Sequence, residues 1–477
     1  MSETSTSIYR SDHILGLIDG ELNDGLYRHW GTALAQMLPA ETSLIVSADG
    51  RYFSQEFKAA LIDGLLAGRI NVVDLGTAPM DLTAFGEDMT GAAGHVCING
   101  GSSPPEWSGL RWSLKDSPFS KTEQVERLQL EARSPSNLST SERRGTYRQL
   151  DISYSWISWL QNVWYDTPGP SLRILVDPLH GNWSVLARQA LQAVFPQMVF
   201  EAVHDEPLVD FGGLPTLNRS SKALETLSGE VRRQEADLGF TLDVDAGLFA
   251  VVDRFGVPLL PGELGWFFMR YLLGPALENE IFLHDIHCPE QIVTEGIRRG
   301  ATPVVSRRGD DSFVTTMRKT NAIIGLGSEG EFYFRGARGN RITVFAICWL
   351  IDYLAANGVD LSILRKTFPR FFVTPEIRTP CTSMDRIIAR LSEEWSSKPE
   401  TTIEGIRFHL PGGRLHIRPI PDFAQTGFRF EAENRQALNR IVTRSAAALE
   451  GIEHVGLFLN EQYGLQTTKQ DDNDEAI

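Results

Sequence analysis

The chain passes through the same order of segments three times between residues 22 and 356. Residues 22–38, LNDGLYRHWGTALAQML, space their apolar side chains as a helix does. TSLIVSADG follows as a short β-rich run ending in a turn. SQEFKAALIDGLLAGRINVVDLG reads as a helix and then a strand, and AGHVCING as a further strand. The order begins again at SLRILVDPLHG (171–181), a buried strand and turn. NWSVLARQALQAVF is then a helix, and QEADLGFTLDVDAGLFAVVD (234–253) a strand, an acidic turn and a second strand. A third round opens on GELGWFFMRYLLG, a helix, and runs through NEIFLHDI, TPVVSR and NAIIGLGSEGEFYF, all strand-like. It closes on a helix over 341–356. Alternation of this kind implies parallel strands with crossover helices. Three rounds imply three related modules, on pattern alone, since no literal repeat is visible.

The pattern changes near residue 370. RFFVTPEIRTPC, IRFHLPG, GRLHIRPIP and TGFRFEAE read as neighbouring short strands, and SMDRIIARLSEEW and NRQALNRIVTRSAAALEGI as helices. Strands that follow one another without crossover helices predict an antiparallel α+β domain. The end, TTKQDDNDEAI, is charged and lacks an apolar face, and is expected to be disordered.

With 477 residues the chain is too long for one core. Its net charge of −16, without a basic block, argues against nucleic acid and anionic membrane as partners. No stretch approaches the roughly 20 apolar residues of a membrane span. The opening MSETSTSIYRSD lacks a hydrophobic signal core, and the four scattered cysteines form no C-x-x-C pair. A cytoplasmic protein with buried free thiols is expected. In YSWISWLQNVWY, Trp156, Trp159 and Trp164 fall at near-helical spacing. Core packing is the plainer reading; an exposed stripe would mark a partner surface.

One loop has the composition of an active site. CINGGSSPPEWSGLRW (97–112) leaves a strand, frees the backbone at Gly100-Gly101 and stiffens it at Pro104-Pro105, with Ser102 and Ser103 between. Chains build such loops where backbone approaches a ligand closely.

With this loop and three others in order, the chain resembles the α-D-phosphohexomutases, the phosphoglucomutase/phosphomannomutase family, from about residue 12 to 460. The family's first loop, T-A-S-H-N-P-P-x-x-N-G, carries the phosphorylated serine. This chain matches its frame at Pro104, Pro105, Glu106 and Gly109, with Arg111 at a basic position. Gly101 stands at the serine, and Ser102 and Ser103 at the His and Asn. The Mg²⁺ loop D-x-D-x-D-R is represented by LDVDAGLFAVVD. Asp243 and Asp245 remain, while the third ligand is Gly247 and the Arg is Leu248. The sugar loop G-E-x-S-G-H reads GLGSEGEFYF, where Gly327 replaces the Glu and Glu329 the Ser. Glu329 and Glu331 are the residues left to reach a hydroxyl. The phosphate cradle R-P-S-G-T-E-P reads IRPIPDF, keeping Arg418 and Pro419 but placing Ile420, Pro421 and Asp422 where donors belong. SADGR keeps Asp49 and Arg51 of another family loop, VDPLHG with His180 matches a domain-two loop, and FVTPEI matches the opening of the last domain.

The resemblance implies an α/β fold of four domains around a central cleft: three related α/β domains at 12–150, 151–255 and 256–369, and an α+β domain at 370–465. The disordered tail is 466–477. It also implies a sugar or sugar phosphate as ligand. The departures imply damaged chemistry. Glycine cannot accept and return a phosphoryl group, so Ser102 and Ser103 are the only nucleophile candidates nearby. With Asp243 and Asp245 as the remaining metal ligands, no metal or a weakly held Mg²⁺ is expected. Asp422 opposes a phosphate by like charge. The expected function is a phosphohexomutase-like protein without mutase activity that binds a small molecule or a protein partner. The alternatives are an active mutase with rebuilt loops, and an enzyme of different chemistry in the same cleft, using Glu329, Glu331 or His180 as acid or base.

Overall fold

The computed structural model describes residues 7–115, 117–135, 143–217, 222–245, 247–274, 277–420 and 423–474, with side chains as far as residue 464. The chain forms two compact units. One joins Ser7–Leu260 to Asn340–Lys366; the other joins Pro261–Gly339 to the chain from Thr367 onward.

The first unit holds two sheets. Across one, the strands run Ile14–Leu17, Trp107–Leu114, Gly94–Ile98, Ser43–Ala48, Asn71–Thr77 and Tyr147–Gln149. Across the other they run Phe249–Asp253, Leu238–Leu242, Arg173–Asp177 and Val199–Ala202. The second unit holds a sheet in the order Thr302–Val305, Ile281–His284, Ile324–Leu326 and Phe332–Phe334. These three sheets share one plan. Three strands pair in parallel, joined in the first sheet by a fourth, Tyr147–Gln149, as the alternation with helices requires. The strand after the third folds back antiparallel beside it. The sheets are therefore mixed rather than purely parallel, and the three modules expected from pattern are related in topology.

The shared plan fixes where the loops fall. Residues 99–106, 243–248 and 327–331 each connect the third strand of the shared plan to its antiparallel neighbour. Ligand loops of open α/β sheets lie at such carboxyl ends of parallel strands.

The second unit also carries the α+β fold expected after residue 370. Strands Glu400–Thr402, Gly405–Leu410, Gly413–Ile420 and Gln425–Ala432 pair antiparallel in sequence order. Helices Met384–Trp395 and Arg435–Ala448 bury Leu391, Leu438 and Ile441 in a core shared with Phe408, Phe428 and Phe430. The final helix, Val455–Asp474, runs through residues 466–474, where the sequence led us to expect no structure. Val455 and Leu459 of this helix are buried. Residues 475–477 lie outside the described residues.

Glycine sets the closest helix contact of the first unit. A β-carbon on Gly31 would lie 2.2 Å from the Leu61 carbonyl oxygen, and one on Gly64 would lie 2.1 Å from that of Arg28. Helices Asp24–Gln36 and Ser54–Ala67 therefore touch backbone to backbone. Beneath them Tyr27, Trp30, Leu34, Leu44, Val46 and Leu61 are fully buried. This packing seats strand Ser43–Ala48 and, just after it, Asp49 and Arg51. The tryptophan stripe is core: Trp156 and Trp164 are buried, and Trp159 lies between Phe85 and Phe345 at 5.5 and 5.4 Å. All four cysteines are free and buried.

Candidate functional site

In the first unit, loops 99–106 and 243–248 meet. Arg51 holds the first loop in shape. Its Nη2 donates to the carbonyl oxygens of Gly101 and Ser103, each at 2.7 Å, and its Nη1 pairs with Asp49. Asp49 also accepts from the Gly100 N–H at 3.2 Å and the Ser54 hydroxyl at 2.5 Å. With this pair fully buried, the loop backbone is fixed from beneath.

Gly101, at the serine position, has φ +56°, the left-handed region that glycine enters without steric cost. A β-carbon there would lie 2.9 Å from Nη2 of Arg111. The space of a nucleophilic side chain is thus taken by a guanidinium. Arg111 arrives from strand Trp107–Leu114, which pairs with Gly94–Ile98, so the turn itself brings it back over the loop.

Ser102 does not point outward as a nucleophile. Its hydroxyl donates to Asp243 Oδ2, and its carbonyl accepts the Thr216 hydroxyl at 2.9 Å. The other Asp243 oxygen accepts the Leu217 N–H at 3.0 Å. Burial raises the Asp243 carboxyl above the usual range, against these hydrogen bonds. Ser103 is engaged through its backbone: its N–H donates to the Gly100 carbonyl at 3.1 Å.

Asp245 is 6% exposed, and its Oδ1 has no hydrogen-bond partner among the described residues. Burial pushes its carboxyl up to about 7, although Arg111, Arg51 and Arg341 pull it down. Arg341 was not foreseen from the sequence. A β-carbon on Gly247 would lie 3.0 Å from its Nη2, so a guanidinium also occupies the third metal-ligand position. Ala246 lies outside the described residues.

We tested this donor set against a divalent cation. Mg²⁺ demands near-octahedral oxygen ligands at about 2.0–2.1 Å. Both oxygens of Asp243 already accept protein hydrogen bonds, and the third position offers positive charge instead of carboxylate. The residues present do not fit the cation.

In the second unit the candidates for sugar and phosphate binding are engaged by other groups of the protein. Glu329 pairs with Arg308 at 2.5 Å. The Glu331 carboxylate turns back to its own loop and accepts the Glu329 N–H at 3.2 Å. Asp285 braces the same loop, accepting from the Ser328 N–H at 2.9 Å and hydroxyl at 2.8 Å. Arg418 grips Glu376 through two bonds, at 2.6 and 2.9 Å. Glu376 also faces Arg378 at 3.1 Å and Arg308 at 3.6 Å. Burial opposes its charge, but the Arg418 bonds and the nearby Arg308 and Arg378 hold its carboxyl at about 2. A β-carbon on Gly427 would lie 2.7 Å from Glu376. The Glu376 carboxylate therefore fills the space beside Gly427. Arg418 is thus an ion-pair residue here. Pro421 and Asp422 lie outside the described residues.

A histidine pair lies in the same unit. His287 Nε2 and His416 Nδ1 are 2.8 Å apart, and His416 Nε2 is 3.1 Å from the Thr402 hydroxyl. His180, a candidate acid or base, holds its Nδ1 2.6 Å from the Glu206 carbonyl in the first unit. Arg308, Glu376 and the histidine pair lay outside the sequence reading. They sit in ordinary strand and turn contexts that carry no local signature.

Comparison with known proteins bears on the origin of this scaffold. Residues 7–134 match the model for the phosphoglucomutase/phosphomannomutase alpha/beta/alpha domain I. A phosphomannomutase/phosphoglucomutase of Pseudomonas syringae pv. tomato is 25% identical over 445 residues, 91% of this chain and 93% of that protein. Among solved structures, a phosphoglucomutase/phosphomannomutase family protein from Burkholderia thailandensis superposes with TM-score 0.81. It is 21% identical and covers 94% of this chain and 98% of its own. A more distant fold relative is the Aspergillus fumigatus N-acetylphosphoglucosamine mutase in complex with GlcNAc-6P and magnesium. Its TM-score is 0.56 at 12% identity, covering 87% and 78% of the two chains. No described helix is long and apolar enough to cross a membrane. Residues 7–134 thus carry the phosphoglucomutase/phosphomannomutase domain I, and the chain is similar along nearly its whole length to proteins named phosphomannomutase/phosphoglucomutase.

Proposed function

We propose that this protein is a phosphohexomutase-fold protein without mutase turnover that serves as a cytoplasmic binding or regulatory partner linked to sugar-phosphate metabolism. The observation that carries the reading is Gly101: the position lacks a hydroxyl, and Arg111 fills the space a side chain would need. Phosphoryl transfer needs a nucleophile in line with phosphorus, and a displacement of about 1 Å is already costly. Gly247, Leu248 and the Arg418–Glu376 pair support the same reading: a metal-ligating carboxylate and an arginine are missing at 247 and 248, and Glu376 neutralises Arg418, so little is left to steady a moving phosphoryl group. The ligand class is a sugar or sugar phosphate, by analogy with the relative that binds GlcNAc-6P. A protein partner is the alternative ligand.

One contact favours a second reading, an active mutase with rebuilt loops. The Ser102 hydroxyl already donates to a buried, more basic Asp243 carboxylate, the arrangement of a nucleophile beside its base. Intact mass separates the two readings. Incubated with glucose 1,6-bisphosphate and Mg²⁺, the protein is expected to keep its unmodified mass. A phosphoryl adduct that disappears in Ser102→Ala establishes the second reading instead.

A further inference from the structure

The two glycines that replace functional residues share one feature. A β-carbon on Gly101 would meet Arg111, and one on Gly247 would meet Arg341. Both arginines act by charge on Asp245, the carboxylate whose Oδ1 lacks a hydrogen-bond partner among the described residues. The positive charge therefore stands where the resemblance places a phosphoserine and a metal-ligating aspartate around a divalent ion.

Arg341 is delivered to this point by a fixed backbone. On one side Asn340 Nδ2 donates to Asp88 at 3.0 Å; on the other the Thr343 N–H donates to the buried Asp81 at 2.8 Å. Phe345, further along the same helix, packs against Trp159 and Trp164 at 5.4 and 4.8 Å. The segment 340–366 is thus anchored to the unit that holds the Asp243–Gly247 loop.

We propose that the Arg341 guanidinium replaces the divalent cation, so that this loop pair carries its own positive charge and holds its carboxylates without a metal. Gly247 is then an accommodating residue. Without a side chain it lets Arg341 lie against the backbone, and a carboxylate placed there would pair with Arg341 before it ligated a metal. This exchange of a metal for a guanidinium is independent of whether Ser102 supports turnover.

The test is Mn²⁺ binding, read by the loss of free-ion electron paramagnetic resonance signal. It uses the full chain, Gly247→Asp, and Gly247→Asp combined with Arg341→Ala. The proposal expects no saturable site in the native chain or the single variant up to about 1 mM. The double variant is expected to bind one ion at least about tenfold more tightly than either. A native chain that binds one Mn²⁺, with the site lost in Asp245→Asn, overturns the proposal without relying on any variant at Arg341. So does a Gly247→Asp variant that binds as tightly as the double one.

Discussion

Nη2 of Arg111 lies 2.9 Å from the point where a β-carbon on Gly101 would stand, and Gly101 itself sits at φ +56°. Gly101→Ser must therefore strain the backbone and displace a guanidinium at once. We expect it to destabilise the protein by about 1–2 kcal/mol and to restore no turnover. Parts that act as a unit return little when one alone is repaired. Urea denaturation and a mutase assay on the same preparation check both halves.

Ser102→Ala removes the hydroxyl that donates to Asp243 Oδ2, while the Leu217 N–H still donates to Oδ1. A buried acceptor deprived of its donor costs about 1–3 kcal/mol. The expected outcome is a lower urea midpoint with an unchanged slope. A variant as stable as the native chain contradicts the structural role of this bond.

Glu376 faces Arg308, Arg378 and Arg418 from a buried position. Glu376→Gln leaves Arg418 without its carboxylate partner, while Arg308 keeps Glu329, and is expected to cost about 3–5 kcal/mol, the cost of breaking a buried pair. Arg418→Ala removes one partner of several and is expected to cost less. Thermal unfolding of the two variants orders them; the reverse order would mean that Arg418, not Glu376, anchors the cluster.

His287 and His416 are kept neutral, first by burial and then by neighbouring arginines, with His416 pushed down to about 3 and His287 well below 6.5. In the unfolded chain both titrate near 6.5. Between those values the unfolded state binds more protons, so stability falls as pH drops from about 6.5 toward 3. His416→Asn removes one of these groups and is expected to flatten that fall. Denaturation midpoints between pH 7 and 4 measure it, and parallel slopes for both proteins would contradict the assignment.

The alternation of segments made the three modules legible, because apolar spacing reports which face of each element is buried. The loops were legible for the same reason: LDVDAGLFAVVD and GLGSEGEFYF carry their own flanking strands, and these appear as Leu238–Leu242 with Phe249–Asp253 and Ile324–Leu326 with Phe332–Phe334. What occupies the loops was not legible. Arg341 reaches Gly247 because helix Thr343–Asn357 packs onto Trp159 and Trp164, a contact between segments far apart in the chain. Glu376 lies in FVTPEI, which reads as an ordinary strand end, and gathers its arginines only when Gly427 and Arg418 pair beside it. The role of Arg418 hung on that unseen carboxylate. Long-range partners of this kind leave no periodicity to read.

The central claim is that the Gly101 loop carries no phosphoryl transfer between sugar positions. The direct measurement is the rate of glucose 6-phosphate formation from glucose 1-phosphate, and of the mannose pair, with Mg²⁺ and glucose 1,6-bisphosphate present. A competent family member is assayed in parallel. We expect a rate lower by far more than about 10²-fold, which corresponds to roughly 2.7 kcal/mol of barrier. Turnover within that factor, abolished by Ser102→Ala, would contradict the account and assign catalysis to the serine beside Asp243.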